Sequence, residues 1–163
     1  LPIINLILGL FMNILKLTTL ALGLGIFSQA FAGDIMPPKE CFLTTVKGSQ
    51  IVMTNEIVEA ITTPLGHTHA NLKSHSFDER FFATARISLI YRRIGFALSM
   101  STTIEDYTTG EELFKNETIA EGEDLAKFYD TLSINADGQK IFLVPFSAKI
   151  GNKDLKVRFG CTF

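Results

Sequence analysis

The chain has 163 residues, 15 basic and 17 acidic side chains, a net charge of −2 and no tryptophan. A slightly acidic chain without a basic cluster offers a polyanion little to hold, which excludes nucleic acid as the expected partner. Hydrophobic residues make up 47% of the chain, enough for one apolar core and one domain once an export signal is set apart.

Residues 1–11 are uncharged and almost wholly apolar. Met12 then opens a short polar segment with Lys16, followed by the apolar run 17–27 and by Ser28-Gln29-Ala30-Phe31-Ala32. A positive start, an apolar middle and small residues at −3 and −1 are the parts of a secretory signal peptide. The pattern places the start at Met12 and the cut between Ala32 and Gly33, with Ala30 at −3. Residues 1–32 are then the signal peptide and residues 33–163 the mature domain, with no stable membrane span after cleavage. The competing reading is an uncleaved anchor, since residues 1–33 are long enough to span a bilayer. Asn5, Asn13 and Lys16 interrupt that run.

Pro37-Pro38 marks an extended lead-in, and residues 40–46, with Cys41-Phe42-Leu43 and three β-branched side chains, predict a first strand. Lys47-Gly48-Ser49 reads as a turn and residues 50–54 as a second strand. Residues 55–63 fit either a helical face or a strand, ended by Pro64. Residues 65–79 are polar, contain Gly66 and all three histidines, and read as a long loop. Residues 81–91 and 96–104 each alternate apolar and polar about the turn at 92–95, a hairpin with period 2 on both arms. Phe82 and Ile90 are the exceptions on the polar face of the first arm.

Residues 105–124 carry many acids against the single Lys115. Thr109-Gly110-Glu111-Glu112 has capping-box spacing and predicts a short helix through Phe114. Leu125, Phe128, Tyr129 and Leu132 recur at helical spacing and predict a second one, with a strand starting near Phe128 as the alternative because the next hydrophobics alternate. Asp137-Gly138 is a hairpin turn signal. Residues 140–150 then alternate around Pro145, which places that strand at an edge or bulge. After a turn at 151–154, residues 155–163 alternate without a break. Short connections and about seven strands predict a mainly β fold, an antiparallel β-sandwich with one or two short helices.

Cys41 and Cys161 both fall in predicted strands. Two thiols in an oxidising compartment pair, and this bridge would staple the two ends of the domain. His67-Thr68-His69 with His75 could hold Zn or Cu, because an extended His-x-His pair projects both imidazoles to one side. The spacing matches no standard zinc signature, so a solvated loop with no cofactor is the plainer expectation. The acidic stretch lacks EF-hand spacing. Arg80, Arg86, Arg92 and Arg93 could form a basic stripe, although an ordinary wet sheet face accounts for them. No nucleophile elbow, Ser-x-x-Lys, His-Glu-x-x-His or phosphate-binding glycine loop is present, and no enzyme is expected.

The final Phe163, after apolar residues at every second position, also resembles the terminal strand of bacterial outer-membrane β-barrels, over residues 155–163 alone. That resemblance implies a small eight-stranded outer-membrane barrel as an alternative. The expected protein is an exported module, periplasmic or secreted, closed by a disulfide and binding a protein or glycan ligand without catalysis. A metal-binding envelope protein using the histidine segment is the further alternative.

Overall fold

The computed structural model describes residues 35–93 and 95–163. The proposed signal peptide, its start at Met12 and its cleavage at Ala30, Ala32 and Gly33 lie outside the described residues. Met36–Phe163 forms one compact unit.

In chain order the strands are β1 Glu40–Thr45, β2 Glu56–Glu59, β3 Ile61–Thr62, β4 Thr68–His75, β5 Phe81–Arg92, β6 Gly95–Asp106 and β7 Glu111–Glu121. Helix α1, Gly122–Asp130, precedes β8 Ser133–Ile134, β9 Lys140–Ile150 and β10 Lys153–Thr162. They form two five-stranded sheets, every pairing antiparallel. The first has the order β2-β1-β10-β9-β8, and the second is β3-β4-β5-β6-β7 in plain sequence order. The chain changes sheet between β2 and β3, and changes back through α1. Neither sheet closes on itself, so the eight-stranded barrel is set aside and the architecture is sandwich-like. No described helix is long and apolar enough to cross a membrane.

Alternation explains the best-paired elements. On β5, Phe81, Ala83, Ala85, Ile87 and Leu89 are buried, and the hairpin with β6 stays in register from Arg92↔Gly95 to Phe81↔Asp106. On β10, Leu155, Val157, Phe159 and Cys161 are buried, with Lys156 and Arg158 in water. Phe114 of β7 stacks on Phe146 of β9 with ring centroids 5.6 Å apart, so the inner faces of the two sheets meet there. Helix α1 buries Leu125 and Tyr129. Phe128 packs against Phe142 and Phe163, and the Tyr129 hydroxyl donates to the Met36 carbonyl at 2.8 Å.

Pro145 sits where its missing donor costs nothing. Lys140 accepts from the amide of Phe163, beyond the end of β10, and Gln139 accepts from Asn135 on the opposite side. Backbone groups alternate sides along a strand, so position 145 points away from β10. The two-residue β8 pairs only with Lys140 and Ile141 and leaves that edge open.

Three expectations need correction. Residues 65–79 are not a long loop, because β4 occupies 68–75 and pairs along its whole length with β5. Its inward residues are Thr68, Ala70, Leu72 and Ser74; mostly small or polar, they carry almost no hydrophobic alternation for a sequence reader to see. The helix expected through Phe114 is instead strand β7. Thr109 and Gly110 donate their amides to the Asp106 carbonyl, and Gly110 takes φ 71°, the left-handed conformation that glycine adopts without steric cost. That geometry turns a hairpin rather than starting a helix. Residues 50–54 form no regular strand but a single bridge, Met53 to Ser76.

Cys41 and Cys161 stand directly opposite each other on β1 and β10, with Cα atoms 4.0 Å apart, and are joined in a disulfide. The bridge spans 120 positions and ties the first strand to the last.

Candidate functional site

The outer face of the β3–β7 sheet carries two adjoining features. In register across it lie Asn71, Arg86 and Ser101, and in the next row Lys73, Thr84 and Thr103. These side chains alternate with the buried ones on β4, β5 and β6, so the same period that fills the core presents polar groups outward. Thr84 and Thr103 are joined through their hydroxyls at 2.6 Å. Glu56 arrives from β2, and its Oε2 accepts from the Lys73 backbone amide at 2.7 Å. That amide lies beyond the reach of the two-residue β3, which pairs only with Thr68 and His69. Glu56, Asn71, Lys73, Thr84, Arg86 and Ser101 line an open groove of about 350 Å³.

One row further, toward the turns, the face becomes aromatic. Phe82 meets Tyr107 edge-on with centroids 5.1 Å apart, and His75 lies 6.3 Å from Phe82. The Lys73 ammonium sits 4.2 Å from the Phe82 centroid, which joins groove and ledge through one side chain. Tyr107 is 71% exposed, and Phe77 in the neighbouring turn is 78% exposed.

The turn that holds Tyr107 is braced by a buried carboxylate. Asp106 Oδ2 accepts from Arg80 Nε at 3.0 Å and Nη2 at 2.8 Å, while Oδ1 accepts from the Thr108 amide and hydroxyl. The Tyr107 amide donates to the Arg80 carbonyl. The Arg80 guanidinium first, and the Thr108 hydroxyl next, lower the Asp106 pKa from 3.8 to about 2. A depressed carboxylate pKa adds stability above the unfolded value, and that stability is lost as pH falls through the folded one. The native protein is therefore expected to lose stability between about pH 4 and pH 2. Asp106→Asn should be less stable at neutral pH and show a flatter acid limb. Acid titration of the unfolding midpoint checks this, and parallel limbs in the two proteins would count against the brace.

The remaining expected site residues are dispersed. His67 lies in the turn before β4, where its carbonyl accepts from the Thr63 amide and its amide donates to the Thr63 hydroxyl. His69 points outward from β4. His75 stands six positions further on, about 20 Å away at a strand's rise per residue, with Nδ1 3.3 Å from the Thr54 hydroxyl. The three cannot share one ion, because the segment is a strand and not a loop. Among the described residues no group of three or more His, Cys, Asp or Glu side chains could hold a metal. The arginine stripe also breaks up. Arg80 pairs with Asp106 and Arg92 with Glu121, and Arg86 takes part in no ion pair among the described residues.

A second opening of about 240 Å³ lies between the sheets, lined by Met100, Phe142, Val144 and Phe159, with Asn116 and Thr118 at its edge.

Sequence reasoning missed Glu56, Asn71, Thr84, Ser101 and Tyr107 as site residues. The one available signal was Phe82, an aromatic breaking the polar face of an otherwise regular strand. No protein-family model, curated protein or solved structure matches this chain.

Proposed function

We propose that this chain is an exported, disulfide-closed β-sandwich module, periplasmic or secreted, that binds a glycan on the outer face of its β3–β7 sheet and does not catalyse a reaction. The observation that carries the reading is the polar groove lying beside an aromatic ledge on one rigid sheet. Carboxylate, amide and guanidinium groups are planar and present paired acceptors or donors, which match vicinal hydroxyls. Glu56, Asn71 and Arg86 supply one of each, with Thr84 and Ser101 as adaptable hydroxyl partners. The C–H face of a sugar ring is apolar and covers an aromatic ring, so Phe82 and Tyr107 would take the neighbouring sugar. Open, shallow access suits a chain of linked sugars better than a small enclosed substrate.

The disulfide supports export, since such bonds persist in oxidising compartments. The absence of a shared histidine site weighs against the metal-binding alternative.

The test is retention of the purified protein on a panel of immobilised oligosaccharides, with affinity measured by calorimetry for any that bind. Arg86→Ala and Tyr107→Ala are each expected to weaken binding at least tenfold, about 1.4 kcal/mol. Both side chains are exposed, so the melting temperature should hold in each variant. Retention on no member of the panel, or binding indifferent to both substitutions, overturns the reading.

A further inference from the structure

The outer face of the other sheet carries an apolar strip that crosses four strands at one level. Ile57, Phe42, Gly160 and Leu143 are in register across β2, β1, β10 and β9. Ile57 is 64% exposed and Leu143 45%. Gly160 makes the strip continuous: a Cβ there would stand 2.7 Å from Leu143 Cδ2 and closer still to Phe42 Cζ, so both side chains lie over the bare backbone. An apolar row on a wet face marks an interaction surface.

Charge flanks the strip unequally. One row to one side, Glu40 and Glu59 face each other across β1 and β2, an arrangement that is destabilising for the isolated sheet. One row to the other side stands Arg158, and Lys156 follows it. None of these four takes part in an ion pair among the described residues. An anionic membrane would meet the two glutamates as well as the cations. A second copy of the chain would not suffer that conflict.

A two-fold axis laid along the strip stacks strip on strip and reverses the order of rows. Each strand then lies over its own copy, so Arg158 on β10 comes to the row of Glu40 and Glu59 in the other copy, one strand from Glu40. A two-fold axis parallel to the strands would keep the rows in order and bring the row that carries Glu40 and Glu59 against the same row of the other copy. We propose that the chain forms a symmetric dimer through this face, with the axis along Ile57–Phe42–Gly160–Leu143. Residues on the axis meet their own copies, and every contact away from it is made twice, as an isologous interface requires. The interface lies on a different sheet from the groove, so its test stands apart from that of glycan binding.

Sedimentation equilibrium of the purified protein over a micromolar to near-millimolar series should show a monomer–dimer equilibrium. Leu143→Asp should shift it to monomer. Glu40→Lys and Arg158→Glu alone should each weaken dimerisation at least tenfold, because each makes the pair between Arg158 of one copy and Glu40 of the other, one strand apart, alike in charge. The two together should restore it toward the native constant, since the pair is exchanged and not removed. All these positions are exposed, and an unchanged melting curve identifies variants that remain folded. A native protein that is monomeric throughout overturns the proposal, including one that sediments with anionic vesicles instead. A dimer indifferent to Leu143→Asp, or charge reversals that fail to rescue each other, overturns it equally.

Discussion

Replacing Cys41 and Cys161 together by alanine is expected to lower stability by about 2–5 kcal/mol, the range for loss of a native disulfide from a small domain. The bridge spans 120 positions, and the chain-entropy account gives about 4–5 kcal/mol for loops of that length. The effect arises mainly in the unfolded state. In the folded protein β1 and β10 remain paired from Cys41↔Cys161 to Thr45↔Val157 whether or not the sulfurs are joined. Denaturant unfolding should therefore show two changes. The midpoint falls, and the slope with denaturant rises, because an unlinked chain exposes more surface when it unfolds. Single replacements are less informative, since each leaves a lone buried thiol. An unchanged midpoint in the double variant would mean that strand pairing alone holds the ends together.

Phe159→Ala should be comparably damaging, at about 3–5 kcal/mol. Phe159 is 1% exposed, sits opposite Leu43 on β1 and Val144 on β9, and meets Phe142 edge-on at 6.0 Å. It also lines the opening of about 240 Å³ between the sheets. Removing the ring enlarges a space that already exists, and two hydrogen-bonded sheets cannot close in to fill it. Val157→Ala, one step along the same buried face, removes only two methyl groups and should cost about 1–3 kcal/mol. The ratio of the two costs is the sharper measurement. Equal losses would show that the core around Phe159 relaxes freely, contrary to the rigid pairing of β9 with β10.

The sheet face proposed to bind glycan and the one proposed to dimerise differ in what stabilises them. Arg86 and Tyr107 are exposed, and Tyr107 meets only Phe82 edge-on, so these side chains can be truncated without unfolding the domain. The strip through Phe42 and Leu143 is partly sheltered by its own side chains lying over Gly160, and more of it is withdrawn from water only by a partner.

Sequence by itself determined the elements whose two faces differ strongly in polarity. The β5–β6 hairpin, β9 with Pro145 at an open edge, β10 and the helix around Leu125 and Tyr129 were legible because burial on one face forces a period that can be counted. The same alternation put Cys161 on an apolar face, while the bridge to Cys41 was expected from the export signal and from two thiols in predicted strands. Tertiary structure alone decided β4 and β7. The buried face of β4 consists of Thr68, Ala70, Leu72 and Ser74, and β7 is a mostly exposed edge rich in acids. Their strand state comes from backbone hydrogen bonds lent by β5 and β6, which leave no trace in side-chain polarity. The histidines are spread out and the groove is assembled for the same reason. Once β4 is extended, His69 and His75 are carried apart, while Asn71 and Lys73 are brought beside Arg86 and Thr84 by a register that only the neighbouring strand can set.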